Sequence, residues 1–316
     1  MSWEPRPPFD PTLLKVGTEL RRVGVEPARG QWHAVRRGIW LPTDVWEGLA
    51  AEERHQAFTH ATLLSSPGAT PLVLAGHSAA SMWRPPRIEP WPRHILVLDT
   101  EHTMGPSQFV RVRRAPPVPR TRTHGVLVTP PARTVIDLAC TGTLDTALAA
   151  ADNALARALC TREELRAEYD LLVPGSKGRG NAALVVDLAD GLSGSPLESL
   201  SRLQMFRASF PPPVLQAEYR DRIGTMLTDF DWERLIGECD GHTKYRVPAG
   251  ATPEQATQVL WDEKRREDRL RRFKPVARWT WSTARSTSAL ARLLMSHGLR
   301  PQPRSTWFEL GSSRSS

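Results

Sequence analysis

Residues 226–240, MLTDFDWERLIGECD, alternate apolar and acidic side chains along two strand-length stretches. Period-two alternation predicts two extended segments whose successive side chains take opposite faces. The same residues bring five carboxylates, Asp229, Asp231, Glu233, Glu238 and Asp240, into a segment where acids are poor strand formers. Asp229 and Asp231 share one face of the first strand, and Glu238 and Asp240 one face of the second. Neighbouring carboxylates repel unless a proton or a cation intervenes, and hard divalent cations such as Mg2+ prefer oxygen ligands. Two readings stand at this point: a metal site, or acids on the solvated face of an antiparallel sheet.

The flanking sequence builds a compact order of elements. A helix starts at Ser195, strands cover 214–220, 226–232 and 235–240, a long helix runs over about 253–272, a strand covers 275–281, and a last helix starts near Ala284. The order is αβββαβα. With Ala256, Val259, Leu260, Leu270 and Phe273 facing the sheet, Glu263, Arg266 and Glu267 of the long helix fall on that same side. Inward charges predict either a polar site or an internal ion network. Glu198 stands three residues after Ser195, where a capping box accounts for it as well as a site role does. Gln216 lies on the strand before the acids, and His242 follows them beside Gly241.

The first half of the chain reads as mixed α and β. Residues 1–12 form a Pro-rich arm, QWHAVRRGIWLP (31–42) a half-exposed strand pair, and 43–65 a helix. Strands follow near 94–102 and 109–116, the second with an Arg face toward water, and helices over 130–140 and 144–159. Arg133 and Asp137 are spaced for an i,i+4 ion pair, and Thr161 with Glu164 for a capping box. VPGSKGRGN (173–181) is Gly-rich, basic and unlike its flanks, and is expected to link two domains, 1–172 and 182–300, with a disordered tail over 301–316. The fold class is therefore α/β in the α+β sense, on a chain of 316 residues that is long enough for two cores.

Composition bounds the partners. No run of about 18 apolar residues is present, so no membrane role is expected, and the N-terminus lacks a signal-peptide layout, which points to the cytoplasm. Three separated cysteines, Cys140, Cys160 and Cys239, suggest reduced thiols rather than a disulfide framework. Of the net +8, the segment from residue 191 carries 20 Lys plus Arg against 14 Asp plus Glu, and residues 1–190 carry 22 against 20. A basic second half attracts polyanions such as nucleic acid.

SPLESLSR, the DF of LTDFDW, IGECDGHTKY, EKRREDRLRR and VARWTW, spread in order over residues 191–283, resemble the C-terminal domain of an actinobacterial family related to the very-short-patch-repair endonuclease, within the PD-(D/E)XK superfamily. HAVRRGIWLP, LAGHSAASMW, LVTPPARTVIDLA and AADNALARA are similar to the region that precedes such domains in AbiEi-like antitoxins of type IV systems, here with the winged helix truncated or absent. The resemblance implies a restriction-endonuclease-like αβββαβ domain and a metal-dependent DNA endonuclease, in phage defence or repair. Its acidic site would be Glu198, Asp229 and Glu238, with Mg2+ or Mn2+ held by Asp229, Glu238 and Asp240. Gln216, Glu263, Arg266 and Glu267 would support them. The family's third motif residue is Lys two positions after Glu238, where this chain has Asp240. Lys244, or Lys264 or Arg266 from the helix, would supply the missing positive charge. DNA and a toxin or defence-system partner are the expected partners. A different class of function, a non-catalytic DNA-binding regulator that keeps the nuclease fold as a platform, is favoured by the missing lysine.

Overall fold

The structure, a computed structural model, describes residues 7–28, 30–65, 72–99, 107–114, 118–240 and 252–308. His242 and Lys244 lie outside them, as does the side chain of Glu263. The fold is α+β, and its contacts divide the chain into two units. One comprises residues 4–150 and 159–183, the other 151–158 together with the chain from residue 184 on.

In the first unit β1 (Lys15–Val16), α1 (Gly17–Arg22), β2 (Trp32–Arg36), β3 (Ile39–Pro42), α2 (Thr43–Gly48) and α3 (Ala51–Leu64) open the chain. β2 and β3 form the hairpin read from QWHAVRRGIWLP, turning at Gly38 with φ +80°, and β1 pairs with β3 to complete a three-stranded sheet. Phe9, Leu14, Val35, Ile39 and Leu41 pack there against Ala57 and Ala61 of α3. Phe9 belongs to the expected arm, yet it is buried and its N–H donates to Gln56.

Next come β4 (Val73–Leu74), α4 (Gly76–Trp83), β5 (Ile95–Asp99), β6 (Val110–Arg114), β7 (Thr121–Thr123), β8 (Val126–Val128) and α5 (Pro131–Thr141). The strands make a mixed sheet in the order β6-β5-β4-β8-β7 over a core of Leu74, Met82, Ile95, Val97 and Val128. The Arg face of β6 does not wholly meet water: Arg113 joins Arg133 on the fully buried Asp137 carboxylate. After α6 (Leu144–Ala156), the Thr161–Glu164 capping box starts α7 (Arg162–Asp170). Gly178 then approaches so closely that a Cβ there would lie 2.4 Å from the Cys140 carbonyl oxygen, and Arg179 donates to the Leu172 carbonyl. The Gly-rich segment is thus a packed turn, in which Gly178 is needed for close approach rather than for flexibility. Helix α8 (Arg179–Leu188) begins inside it, and the division between units falls at Ala183/Leu184.

The second unit claims the end of α6 through a buried ion pair. Arg202 donates to Asp152 at 3.0 Å and to the Leu188 carbonyl, while the Asp190 N–H donates to Asp152 at 2.7 Å. Its elements are α9 (Pro196–Arg207), β9 (Val214–Arg220), β10 (Thr225–Trp232), β11 (Leu235–Asp240), α10 (Pro253–Leu270), β12 (Val276–Thr280), α11 (Trp281–Ala284) and α12 (Thr287–Ser296). The sheet order is β12-β11-β10-β9, antiparallel except for the parallel β11/β12 pair. Ile236 and Val276, registered partners, pack with Leu270 of α10. Cys239 and Trp279, partners of opposite parity, face α9, where Trp279 Nε1 donates to Ser201. The two helices therefore cover opposite faces. On the α9 face Phe230 stacks on Trp279 with centroids 5.4 Å apart, over the gap that Gly237 leaves. Residues 301–308 do not form a loose tail: Trp307 Nε1 donates to the Phe210 carbonyl and its ring meets Phe206, because an indole is worth burying where its N–H finds an acceptor. No described helix is long and apolar enough to cross a membrane.

Three histidines of the first unit form a continuous stack that gives its stability a pH dependence. His55 lies between Trp91 and His77, and His77 meets His94 edge-on. Burial, reinforced by the charges of neighbouring histidines and Arg87, pushes His55 down to about 3. Burial likewise takes His77 to about 4, against the raising effect of its bond to the His94 carbonyl. Folded-state values below the ordinary 6.5 mean that unfolding takes up protons, so this stability is complete above pH 6.5 and drains as pH falls toward 4. Melting of the parent from pH 7.5 to 4.5 is expected to drop by up to about 1.4 kcal/mol per pH unit per histidine. His55→Phe, which keeps the ring contact with Trp91, should flatten the curve. An equally steep curve in that variant would refute the assignment.

Candidate acidic site of the second unit

The five carboxylates of the acidic strands go to different places. Glu233 is exposed beside Arg234. Asp231 accepts two bonds from Lys274, at 2.8 and 2.9 Å, and one from the Tyr219 hydroxyl at 2.6 Å. Asp240 is held by the fork of Arg278, at 2.7 and 3.0 Å, and the third nitrogen of that guanidinium reaches Glu267. Burial opposes ionisation of Glu267, but the bonds from Arg271 and Arg278 outweigh it and hold its carboxyl below the ordinary value. Glu238, 1% exposed, receives both forks of Arg266, at 2.9 and 3.2 Å. Arg266 and Glu267 of α10 thus engage the sheet as an ion network, which offsets the desolvation of each acid.

Asp229 takes another course. It stands one residue beyond Phe230↔Gly237, the last registered pair of β10 and β11 on that side. Its Oδ2 accepts the Cys239 N–H at 2.8 Å, taking the place of a ladder carbonyl where the strands part. Carboxylate oxygens of Asp229 and Glu198 and the Cys239 sulfur all lie within 4.8 Å of one another, and all three residues are buried. This is the one such group of three among the described residues.

Glu198 reaches this cluster from the first turn of α9. Ser195 caps the helix by accepting the Glu198 N–H at 3.2 Å, and Pro196 occupies the first helical position. The Glu198 side chain returns to the Gly194 N–H at 2.8 Å and accepts from Gln216 Nε2 at 3.3 Å. The expected capping box is not closed, since the carboxylate bonds Gly194 rather than the Ser195 N–H. Gln216 donates from a backbone of φ +51°, which costs an L-residue about 1–2 kcal/mol. The β9/β10 register passes from Thr228↔Ala217 to Phe230↔Leu215, so Gln216 and Asp229 meet at a step without a registered pair.

The structure brings Glu198, Asp229 and Gln216 together and sets Glu238, Arg266, Asp240 and Glu267 in ion pairs on the α10 face. Of the three carboxylates expected as metal ligands, Asp229 joins the cluster, while Glu238 and Asp240 carry guanidinium counter-ions. Glu198, Asp229 and Cys239 are the residues here that could hold a cation, the two carboxylates offering the hard oxygen donors that divalent ions take. Sequence reasoning missed Cys239, because strand alternation sends it to the face opposite Glu238, and it missed Lys274 and Arg278, which lie more than thirty residues from their partners in sequence.

No family model matches the sequence. The chain is 28% identical over 215 residues to two uncharacterized proteins of Mycobacterium tuberculosis, MT2308 of strain CDC 1551 / Oshkosh and Rv2248 of strain ATCC 25618 / H37Rv. Those alignments cover 65% of this chain and 76% of each relative. The crystal structure of the RV2827C protein from the same organism matches with TM-score 0.34 and 18% identity, over 58% of this chain and 66% of that chain.

The backbone at Gln216 can be checked without reference to function. Glycine tolerates positive φ where alanine does not, so Gln216→Gly should be more stable than Gln216→Ala by about 1 kcal/mol in urea unfolding. Alanine matching or exceeding glycine would show that the site is not left-handed.

Proposed function

We propose that the second unit is a metal-dependent nuclease hydrolysing phosphodiester bonds in DNA. The observation that carries this reading is the pair of buried carboxylates, Glu198 and Asp229, gathered at the open end of the β10/β11 ladder beside a strained residue. Buried acids without a cation repel one another, and strain of the kind seen at Gln216 collects at sites with a task. A bound Mg2+ or Mn2+ would lower the pKa of a water and offset charge on the scissile phosphate. The chain's own part is positional: the Cys239 N–H fixes Asp229, while the Gly194 N–H and the Gln216 amide fix Glu198. Exposed Lys264, Arg265 and Arg272 of the same unit suit the phosphate backbone, where basic side chains bind by releasing counter-ions. The missing motif lysine would be replaced by Arg266, since it touches Glu238; Lys244 and Lys264 remain the other candidates.

One observation favours a second reading, a DNA-binding regulator without catalysis. Asp231, Glu238 and Asp240 are all neutralised by Lys274, Arg266 and Arg278, which removes much of the repulsion that acids would exert on a phosphate backbone. An antitoxin-like first unit with a toxin or defence partner would accompany either reading, in the cytoplasm.

The full chain, assayed on single- and double-stranded DNA, is expected to cut with Mg2+ or Mn2+ and to stop in EDTA. Asp229→Asn should lower cutting at least a hundredfold while circular dichroism and melting stay near the parent. A parent that binds DNA with steep salt dependence but never cuts in any divalent metal would put the regulator in its place.

A further inference from the structure

We propose that the outer edge of β9 is a self-association surface, on which a second copy of the chain pairs antiparallel about Tyr219. β9 ends the four-stranded sheet, and no described strand pairs with its outer side. An open edge carries unpaired N–H and C=O groups, and a second edge of the same sequence supplies the matching acceptors and donors. Pairing of a strand with its own copy is two-fold symmetric, so residues equally distant from the centre become partners. Cross-strand partners share a face and neighbours in a strand do not, so the centre has to be a residue rather than a peptide bond.

The side chains select Tyr219 as that centre. Glu218 and Arg220 flank it, both exposed and neither in an ion pair among the described residues. Centred on Tyr219, Glu218 of each copy faces Arg220 of the other, an attraction made twice across the axis; centred on Glu218 or on Arg220, two like charges meet. The same register carries Ile223 of each copy, 68% exposed, to the start of the other copy's β9, where Val214 is 52% exposed. Two apolar side chains otherwise left in water are then covered. The regular ladder is confined to residues 217–221: Gln216 is left-handed at one end, and at the other the Asp221 carboxylate is taken by Arg269 and by the Ile223 and Gly224 N–H groups. A contact so short makes a reversible dimer rather than an obligate one. Its axis runs perpendicular to the sheet, which is doubled in width with both copies of α9 on one face. Pairing at this edge requires nothing of the acidic cluster.

Sedimentation velocity of the full chain at pH 7.5 and low salt, over about 1 to 200 µM, the range in which a weak dimer is read, is expected to show a monomer–dimer equilibrium. Glu218→Arg and Arg220→Glu should each weaken the dimer about tenfold or more, because each sets like charges face to face. The double reversal Glu218→Arg/Arg220→Glu should return to within about threefold of the parent, since it restores opposite charges in the same register. A parent that stays monomeric throughout would overturn the proposal. So would a dimer indifferent to the single reversals, which must use another surface, and so would a double reversal as weak as the singles, which excludes the register about Tyr219. Should circular dichroism show a reversal unfolded, Glu218→Gln and Arg220→Gln decide: each is expected to weaken the dimer about threefold, and no change in either rejects the edge.

Discussion

A carboxylate buried in a sheet must have a positive partner or a dense set of hydrogen-bond donors, and the second unit is arranged around that requirement. Asp231, Glu238 and Asp240 are met by Lys274, Arg266 and Arg278, which come from α10, the segment after it and β12. The consequence is a helix tied to its sheet by charge as much as by the apolar contact of Leu270 with Met226, Ile236 and Val276. Such a network fixes orientation, because forked guanidinium–carboxylate bonds tolerate little displacement.

Asp229 and Glu198 lie together where the regular strand pairing is interrupted. Asp229 accepts the Cys239 N–H, and Glu198 accepts the Gly194 N–H and the Gln216 amide. The positive φ of Gln216 and the unregistered step at Asp229 mark the place where regular pairing gives way to the site.

Much of this was legible in the sequence, for local reasons. Period-two alternation located β10 and β11, the S-P-x-E pattern located the start of α9, and helical phase set Arg266 and Glu267 toward the sheet. What escaped depends on distant pairing. Asp152 belongs to the second unit because Arg202, fifty residues on, is buried against it, and no composition change marks that. The glycines of 173–181 signal a linker by composition, but Gly178 is required by the backbone of Cys140. Cys239 joins the site only because the ladder ends at Phe230 and Gly237, so that its N–H turns to a side chain.

The central claim is that Glu198 and Asp229 form a seat for a divalent cation. Crystals of the full chain soaked in Mn2+ and measured near the manganese edge test it directly. The account predicts an anomalous peak within bonding distance of both carboxylates, absent from Asp229→Asn crystals treated alike. A saturating soak that leaves this position empty, or puts manganese elsewhere on the surface, would contradict it.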